Sequence, residues 1–171
     1  MSGRQANFER PHKEAQSFDG RALLADLRTI LRTNPERARA AKGIAEWIAA
    51  VRRYRWVGLY DVTPTEIGMI ACTGTTPPAF PRFPSSRGLC GAVVSAGASL
   101  NVGNVQEDAR WLTTFGTTRS EIIVPVLFDS GVVGLIDVES DQLNAFGTED
   151  EHFLEQCVRH IKPLFVKPSH S

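Results

Sequence analysis

The chain is 171 residues long, with 42% hydrophobic and 22% charged residues, and carries 19 basic against 19 acidic side chains. That length fits one domain with one self-sufficient core, and the charge balance argues against a nucleic-acid partner, which needs a basic stripe to neutralise phosphates. No apolar run approaches the ~20 residues of a membrane helix, so no membrane association is expected.

Residues 1–17 are polar and patternless and read as a tail; residues 18–168 read as one domain. The first 60 residues hold 12 basic and 6 acidic side chains, scattered along helix-like segments as solvated faces. Asp19 is positioned to cap a helix bearing Leu23, Leu24, Leu27, Ile30 and Leu31 at helical spacing. Pro35 suits the first position of a second helix, which runs to about Arg53 and presents Ala41, Ile44, Ile48 and Val51 with Trp47 beside them. These two helices are expected to pack together and to form the interface of a homodimer.

From Trp56 the apolar period becomes two. Trp56–Val62 reads as a strand, Thr63–Thr65 as a turn and Ile67–Thr73 as the antiparallel partner. The four prolines between Thr75 and Ser86 leave room for no more than a short edge strand. A small apolar helix is expected over Leu89–Ala96, a strand over Ser99–Val105, and an excursion of turn formers to Thr118. Glu121–Phe128 and Val132–Glu139 then form a hairpin around Asp129-Ser130-Gly131. The last helix starts with Thr148 and Glu151 as a capping box, carries Phe153, Leu154, Cys157, Val158 and Ile161 on its core stripe, and is bent or ended by Pro163. The sum is an α+β fold, an antiparallel sheet with the N-terminal helices and the C-terminal helix on one face.

The hairpin carries the chemistry. A three-residue turn sets Ile122, Val124, Val126 and Phe128 against Val138, Ile136, Gly134 and Val132, an apolar face broken by one glycine. The opposite face then holds Glu121 directly across from Glu139, with Asp137 as the diagonal neighbour. A two-residue turn would mix the faces and ruin the pattern. Like charges placed opposite each other are destabilising, so three carboxylates on a half-apolar face call for a proton, a cation or a cationic ligand group, unless the hairpin end frays into water. An ammonium suits them better than a metal ion, because no His or Cys stands beside them in the sequence to complete a transition-metal site. Cys90, in Arg87-Gly88-Leu89-Cys90-Gly91, falls at a helix start beside an arginine, a setting that lowers a thiol's pKa. A buried, inert thiol is nonetheless the commoner fate of a free cysteine and the preferred reading. The three cysteines are too widely spaced for a disulfide framework or a CxxC motif. With no apolar signal segment at the start, they point to the reducing cytoplasm. Dinucleotide, P-loop, zincin and hydrolase motifs are absent from the sequence.

Arg55-Trp56-Val57-Gly58-Leu59-Tyr60, the Gly88-Leu89-Cys90-Gly91 run, Ser120-Glu121-Ile122-Ile123-Val124-Pro125, Gly134–Ser140 and Phe146 followed by Thr148–Glu151 occur in order. Together they resemble a GAF domain over residues 20–166, and within that superfamily the chain is similar to the free methionine-(R)-sulfoxide reductases. The resemblance implies a PAS-related six-stranded antiparallel sheet with a small-molecule pocket in front. It also implies that Trp56, Glu121, Asp137 and Glu139, with Tyr60 on the same strand as Trp56, form the ligand-binding set. The reductases' catalytic cysteine falls at Thr114 and a second family cysteine at Phe80, which leaves Cys90 alone. Thr114 cannot form a sulfenic acid. The expectation is therefore a cytoplasmic, homodimeric sensor that binds a small molecule with an amine group, needs no cofactor or metal, and is not catalytic. A divergent reductase using Cys90 is the alternative. Cyclic-nucleotide binding and a purely dimerising module, its pocket filled by Trp111 and Phe115, are the remaining readings. No Asn-Lys pair accompanies the Phe146–Glu151 segment, and acidic pocket residues repel a phosphate.

Overall fold

A computed structural model describes residues 20–166, with side chains from residue 25 onward. The polar tail, the Asp19 cap and the Leu23 and Leu24 side chains expected above lie outside the described residues. Helix α1 spans Gly20–Thr33 and α2 Arg37–Arg52. Between them, Asn34 bonds Ile30 O through both its backbone N–H (3.2 Å) and its side-chain amide (2.9 Å). The chain must leave α1 completely before it re-enters a helix, so Glu36 is the N-cap and Pro35 stands outside α2 rather than at its first position.

Strands β1 (Trp56–Val62), β2 (Glu66–Cys72), β3 (Arg82–Pro84), β4 (Leu100–Val102), β5 (Ser120–Phe128) and β6 (Gly131–Ser140) form one antiparallel sheet in the order β3-β2-β1-β6-β5-β4. Helix α3 (Gly88–Ala96) links β3 to β4, and α4 (Thr148–Ile161) follows β6. The fold is mixed α+β. None of the described helices is long and apolar enough to cross a membrane.

Strand alternation sorts the side chains into two layers. Val57, Leu59, Ile122, Val124, Val126, Ile136 and Val138 face back onto α1, α2 and α4, where they meet Leu27, Ile44, Ile48, Leu154, Cys157 and Ile161. The glycine that interrupts this face, Gly134, makes room for the Phe165 ring, which occupies the place a Cβ would take. Trp56, Tyr60, Ile123 and Leu135 face forward, toward Leu89, Cys90 and Val93 of α3.

The hairpin register holds from Ser120↔Ser140 to Val126↔Gly134. It then shifts at Val126/Leu127, so that Phe128 pairs with Gly131 and the loop is the two residues Asp129-Ser130. This bulge exchanges the neighbouring valines: Val133 packs on the helix side and Val132 on the front. It sits at the loop end of the hairpin and leaves the acidic end unaltered.

Helix α4 also begins one residue earlier than its sequence suggests. Gly147 is the N-cap, and Asp150 rather than Glu151 accepts the Gly147 N–H, at 3.0 Å. Asp150 is favoured because its other oxygen receives Arg52 Nη2 and Tyr54 Oη, both at 2.7 Å. Burial opposes its charge, yet these donors hold the Asp150 carboxyl below its ordinary range.

Candidate functional site

The sheet register builds the site. Trp56 pairs with Glu139, which pairs in turn with Glu121; in the next row Gly58 pairs with Asp137 and Asp137 with Ile123. Three acids on two adjacent strands therefore project from one patch of the front face, beside the aromatic residues of β1. Helix α3 crosses that patch, and the segment after β4 lies over it. Between them Tyr60, Cys90, Trp111, Thr114, Glu121 and Asp137 enclose a cavity of about 20 Å³. All five residues expected in the ligand set, Trp56, Tyr60, Glu121, Asp137 and Glu139, lie in this one neighbourhood and are buried.

The acids are enclosed rather than frayed into water. Glu121, Asp137 and Glu139 are 4%, 2% and 0% exposed. Each keeps one buried oxygen without a partner (Oε2, Oδ1 and Oε1 respectively), and the indole N–H groups of Trp56 and Trp111 are unpartnered as well. Leaving one such group unsatisfied costs about 1–3 kcal/mol. The other Glu139 oxygen accepts the Thr118 hydroxyl. Burial first, and then the neighbouring acids, push the Asp137 carboxyl well above its usual value. Glu121 is raised in the same way, by burial and then by Glu139. The Glu139 carboxyl rises less, because Thr118, Thr114 and the positive charge of Arg55 oppose the effect of burial. Oxygens of Glu121 and Asp137 lie within 4.8 Å of each other, and burial with mutual repulsion favours the protonated form of the pair.

Cys90 follows the buried reading and departs from the sequence only in what stands beside it. It is the third residue of α3, but its thiol is buried and faces the acids, and burial together with Asp137, Glu121 and Glu139 drives its pKa well above normal. The helix N-terminus does not outweigh three carboxylates in a low-dielectric pocket, so Cys90 is a suppressed thiol rather than an activated one. Its position also removes the argument that no cysteine stands near the acids. Ligating atoms of Cys90, Glu121 and Asp137 lie within 4.8 Å of one another.

Several site residues escape a reading of sequence alone. Gly58 is one: a Cβ there would overlap the Trp56 ring and lie 2.8 Å from Tyr60 Cε2. The two rings therefore lean over a residue that has to be glycine, and a glycine between two aromatic residues on one strand face is the signal that could have shown it. Phe83 and Leu112, which also line the cavity, are others, whereas Trp111, Thr114 and Phe115 of the covering segment are residues the sequence singles out. Trp111 and Thr114 line the cavity, and Phe115 meets Trp56 edge-on at 5.5 Å. Arg55 lies over the Phe115 ring at 5.8 Å and donates from Nη2 to Thr117 Oγ1 at 2.6 Å. The excursion of turn formers is folded down over the acids, as a segment able to close over the pocket would be.

A mixed fold with a curled antiparallel sheet, helices behind it and an enclosed acidic hollow in front defines the class. The model of the GAF domain family matches residues 25–163, and the chain belongs to that family. GAF domain-containing protein A of Dictyostelium discoideum is 32% identical over 104 residues, which are 61% of this chain and 65% of that protein. The chain thus spans just under two thirds of that relative's length. The free methionine-R-sulfoxide reductase of Escherichia coli is 26% identical over 117 residues, 65% of this chain and 66% of the enzyme. Among solved structures, the free methionine-R-sulfoxide reductase of Neisseria meningitidis in complex with its substrate superposes with a TM-score of 0.76 at 24% identity, covering 85% of this chain and 87% of that one. A GAF domain from an Acinetobacter phosphoenolpyruvate-protein phosphotransferase superposes with a TM-score of 0.72 at 19% identity, over 87% and 98% of the two chains. Both reductases and sensor-type GAF domains therefore share this fold.

Proposed function

We propose that this GAF domain binds a small amine-bearing metabolite of the amino-acid class and acts as a sensor rather than as an enzyme. The observation that carries the reading is the set of three buried carboxylates on one patch of the front face, each with one unpartnered oxygen, two of which, Glu121 and Asp137, line the hollow. An ammonium offers three N–H donors to those oxygens and supplies the positive charge that buried, mutually repelling carboxylates call for. The Trp56 face supplies a wall suited to a cation or to an apolar ligand chain. Tyr60 closes the side of the hollow opposite Trp111 and Thr114.

Entry requires movement. A cavity of about 20 Å³ has room for about one water molecule, so an amino acid enters only when Trp111 swings out with the segment that carries it. Binding thereby changes the covering segment, and a homodimer formed through α1 and α2 gives the change a route to a partner. The free thiols suit work in the reducing cytoplasm.

Thermal denaturation against a panel of free amino acids, methionine sulfoxide and nucleotides tests the reading. A ligand at about 100 times its Kd adds ~2.7 kcal/mol. An amine-bearing compound should raise the midpoint, and Glu121→Gln should abolish the rise. No shift with any amine would sink the reading and favour a module whose pocket is filled by its own Trp111. A second reading, a divergent sulfoxide reductase, is supported by the presence of Cys90 in the cavity lining. NADPH-coupled reduction of free methionine sulfoxide that disappears in Cys90→Ser would establish it in place of the sensor.

A further inference from the structure

Donor atoms of two kinds converge on the hollow. Cys90 arrives from α3, Glu121 from β5 and Asp137 from β6, and one ligating atom of each lies within 4.8 Å of the other two. Glu121 Oε2 and Asp137 Oδ1 are buried, unpartnered and part of the cavity lining. With Trp111 folded down, the space of about 20 Å³ fits an ion with a water rather than an organic molecule.

The donor set selects among ions. Calcium and magnesium take oxygen ligands throughout. A thiolate combined with carboxylates suits a borderline-soft ion that accepts four ligands. We infer that, in its closed form, the hollow binds one divalent transition-metal ion of the zinc type through Cys90 Sγ and one oxygen each of Glu121 and Asp137, in competition with the amine ligand. This rests on the reading of the hollow as a site for positive charge.

Charge and protons balance without any redox step. The Cys90 thiol loses its proton, any proton held by Glu121 or Asp137 departs as well, and these go to solvent as the ion enters. The donors close to the separation of about 3.5 Å expected between ligands of a tetrahedral ion with Zn–S near 2.3 Å and Zn–O near 2.1 Å. Thr114 Oγ1 or a water fills the fourth position. The unpartnered indole N–H groups of Trp56 and Trp111 are available to the outer carboxylate oxygens.

Cobalt(II) chloride titrated into the chelator-treated full chain is the test, because thiolate-to-cobalt charge transfer reports a Cys–metal bond directly. The expected result is a near-ultraviolet charge-transfer band that saturates at one ion per chain, persists in Cys157→Ser and vanishes in Cys90→Ser. Glu121→Gln, which keeps the thiol and relieves a buried charge, should weaken cobalt binding at least tenfold. Excess zinc chloride should also cancel the midpoint shift produced by an amine ligand. Absence of the band in the wild-type chain, or its loss in Cys72→Ser with retention in Cys90→Ser, overturns the metal site. If an amine ligand still binds in a Glu121-dependent way while cobalt does not, only the metal inference falls; if neither binds, the amine reading falls with it.

Discussion

Substituting Glu121 by glutamine should make the unliganded protein more stable, and the gain should depend on pH in the direction opposite to ordinary acid denaturation. Glu121 is 4% exposed, stands directly across from Glu139 and has an unpartnered oxygen. Removing the charge and its buried, unsatisfied acceptor should recover about 1–3 kcal/mol, which for a domain of this size is about 2–4 °C in the midpoint for each kcal/mol. The sign follows from linkage. The folded-state pKa values of Glu121 and Asp137 lie well above their unfolded values, so the folded chain holds more protons than the unfolded one across that interval. Stability therefore falls as pH rises from the ordinary carboxylate range, near pH 4–5, through the raised folded values. Thermal unfolding followed by circular dichroism from pH 5 to pH 8 should show Glu121→Gln leading the wild type most at pH 8, with the gap narrowing toward pH 5. A variant equal to or weaker than the wild type at pH 8, or a gap that widens as pH falls, would refute the claim that these acids are enclosed and uncompensated.

Gly58→Ala should displace the Trp56 and Tyr60 rings, since the added Cβ overlaps Trp56 and approaches Tyr60 Cε2 to 2.8 Å. A cost of about 1–3 kcal/mol and loss of any ligand-induced midpoint shift are expected from the same thermal assay. Cys90 should react with a thiol reagent at pH 8 far more slowly than the half-buried Cys72, because burial and three acids keep it protonated. Mass-spectrometric counting of modified sites before and after urea unfolding checks the order, and a fast-reacting Cys90 in the folded chain would contradict it. Asp150→Ala removes the acceptor shared by Arg52, Tyr54 and the Gly147 N–H, and should cost about 2–3 kcal/mol by chemical denaturation.

What was legible in the sequence was whatever a short-range period dictates. Alternation along β5 and β6 admits one pairing that keeps Ile122, Val124, Ile136 and Val138 on the core side, and that pairing necessarily sets Glu121 against Glu139. The bulge at Val126/Leu127 was not legible, because it alters only the last two pairs, where valine follows valine and either face accepts an apolar side chain. The start of α4 was misplaced by one residue because Asp150 gains partners, Arg52 and Tyr54, that lie about a hundred positions earlier in the chain. The environment of Cys90 is a long-range effect of the same kind. Its local motif describes a helix start, whereas its charge state is set by strands 31 and 47 residues further on. The covering segment lacks any period; Trp111 and Phe115 stand out there only as large aromatic residues and Thr114 only through the resemblance, and the fold decides which of them line the hollow.

The enclosed acids are central, and calorimetry reads their chemistry most directly. The amine that gives the largest thermal shift should be titrated in buffers of different ionisation enthalpy, beside its analogue lacking the amino group. Entry of an ammonium favours the charged carboxylates over the protonated form that burial promotes, so the amine should bind with net proton release and the analogue should not bind. Equal binding of both compounds, or heats that do not vary with the buffer, would contradict recognition of a cation by these three carboxylates.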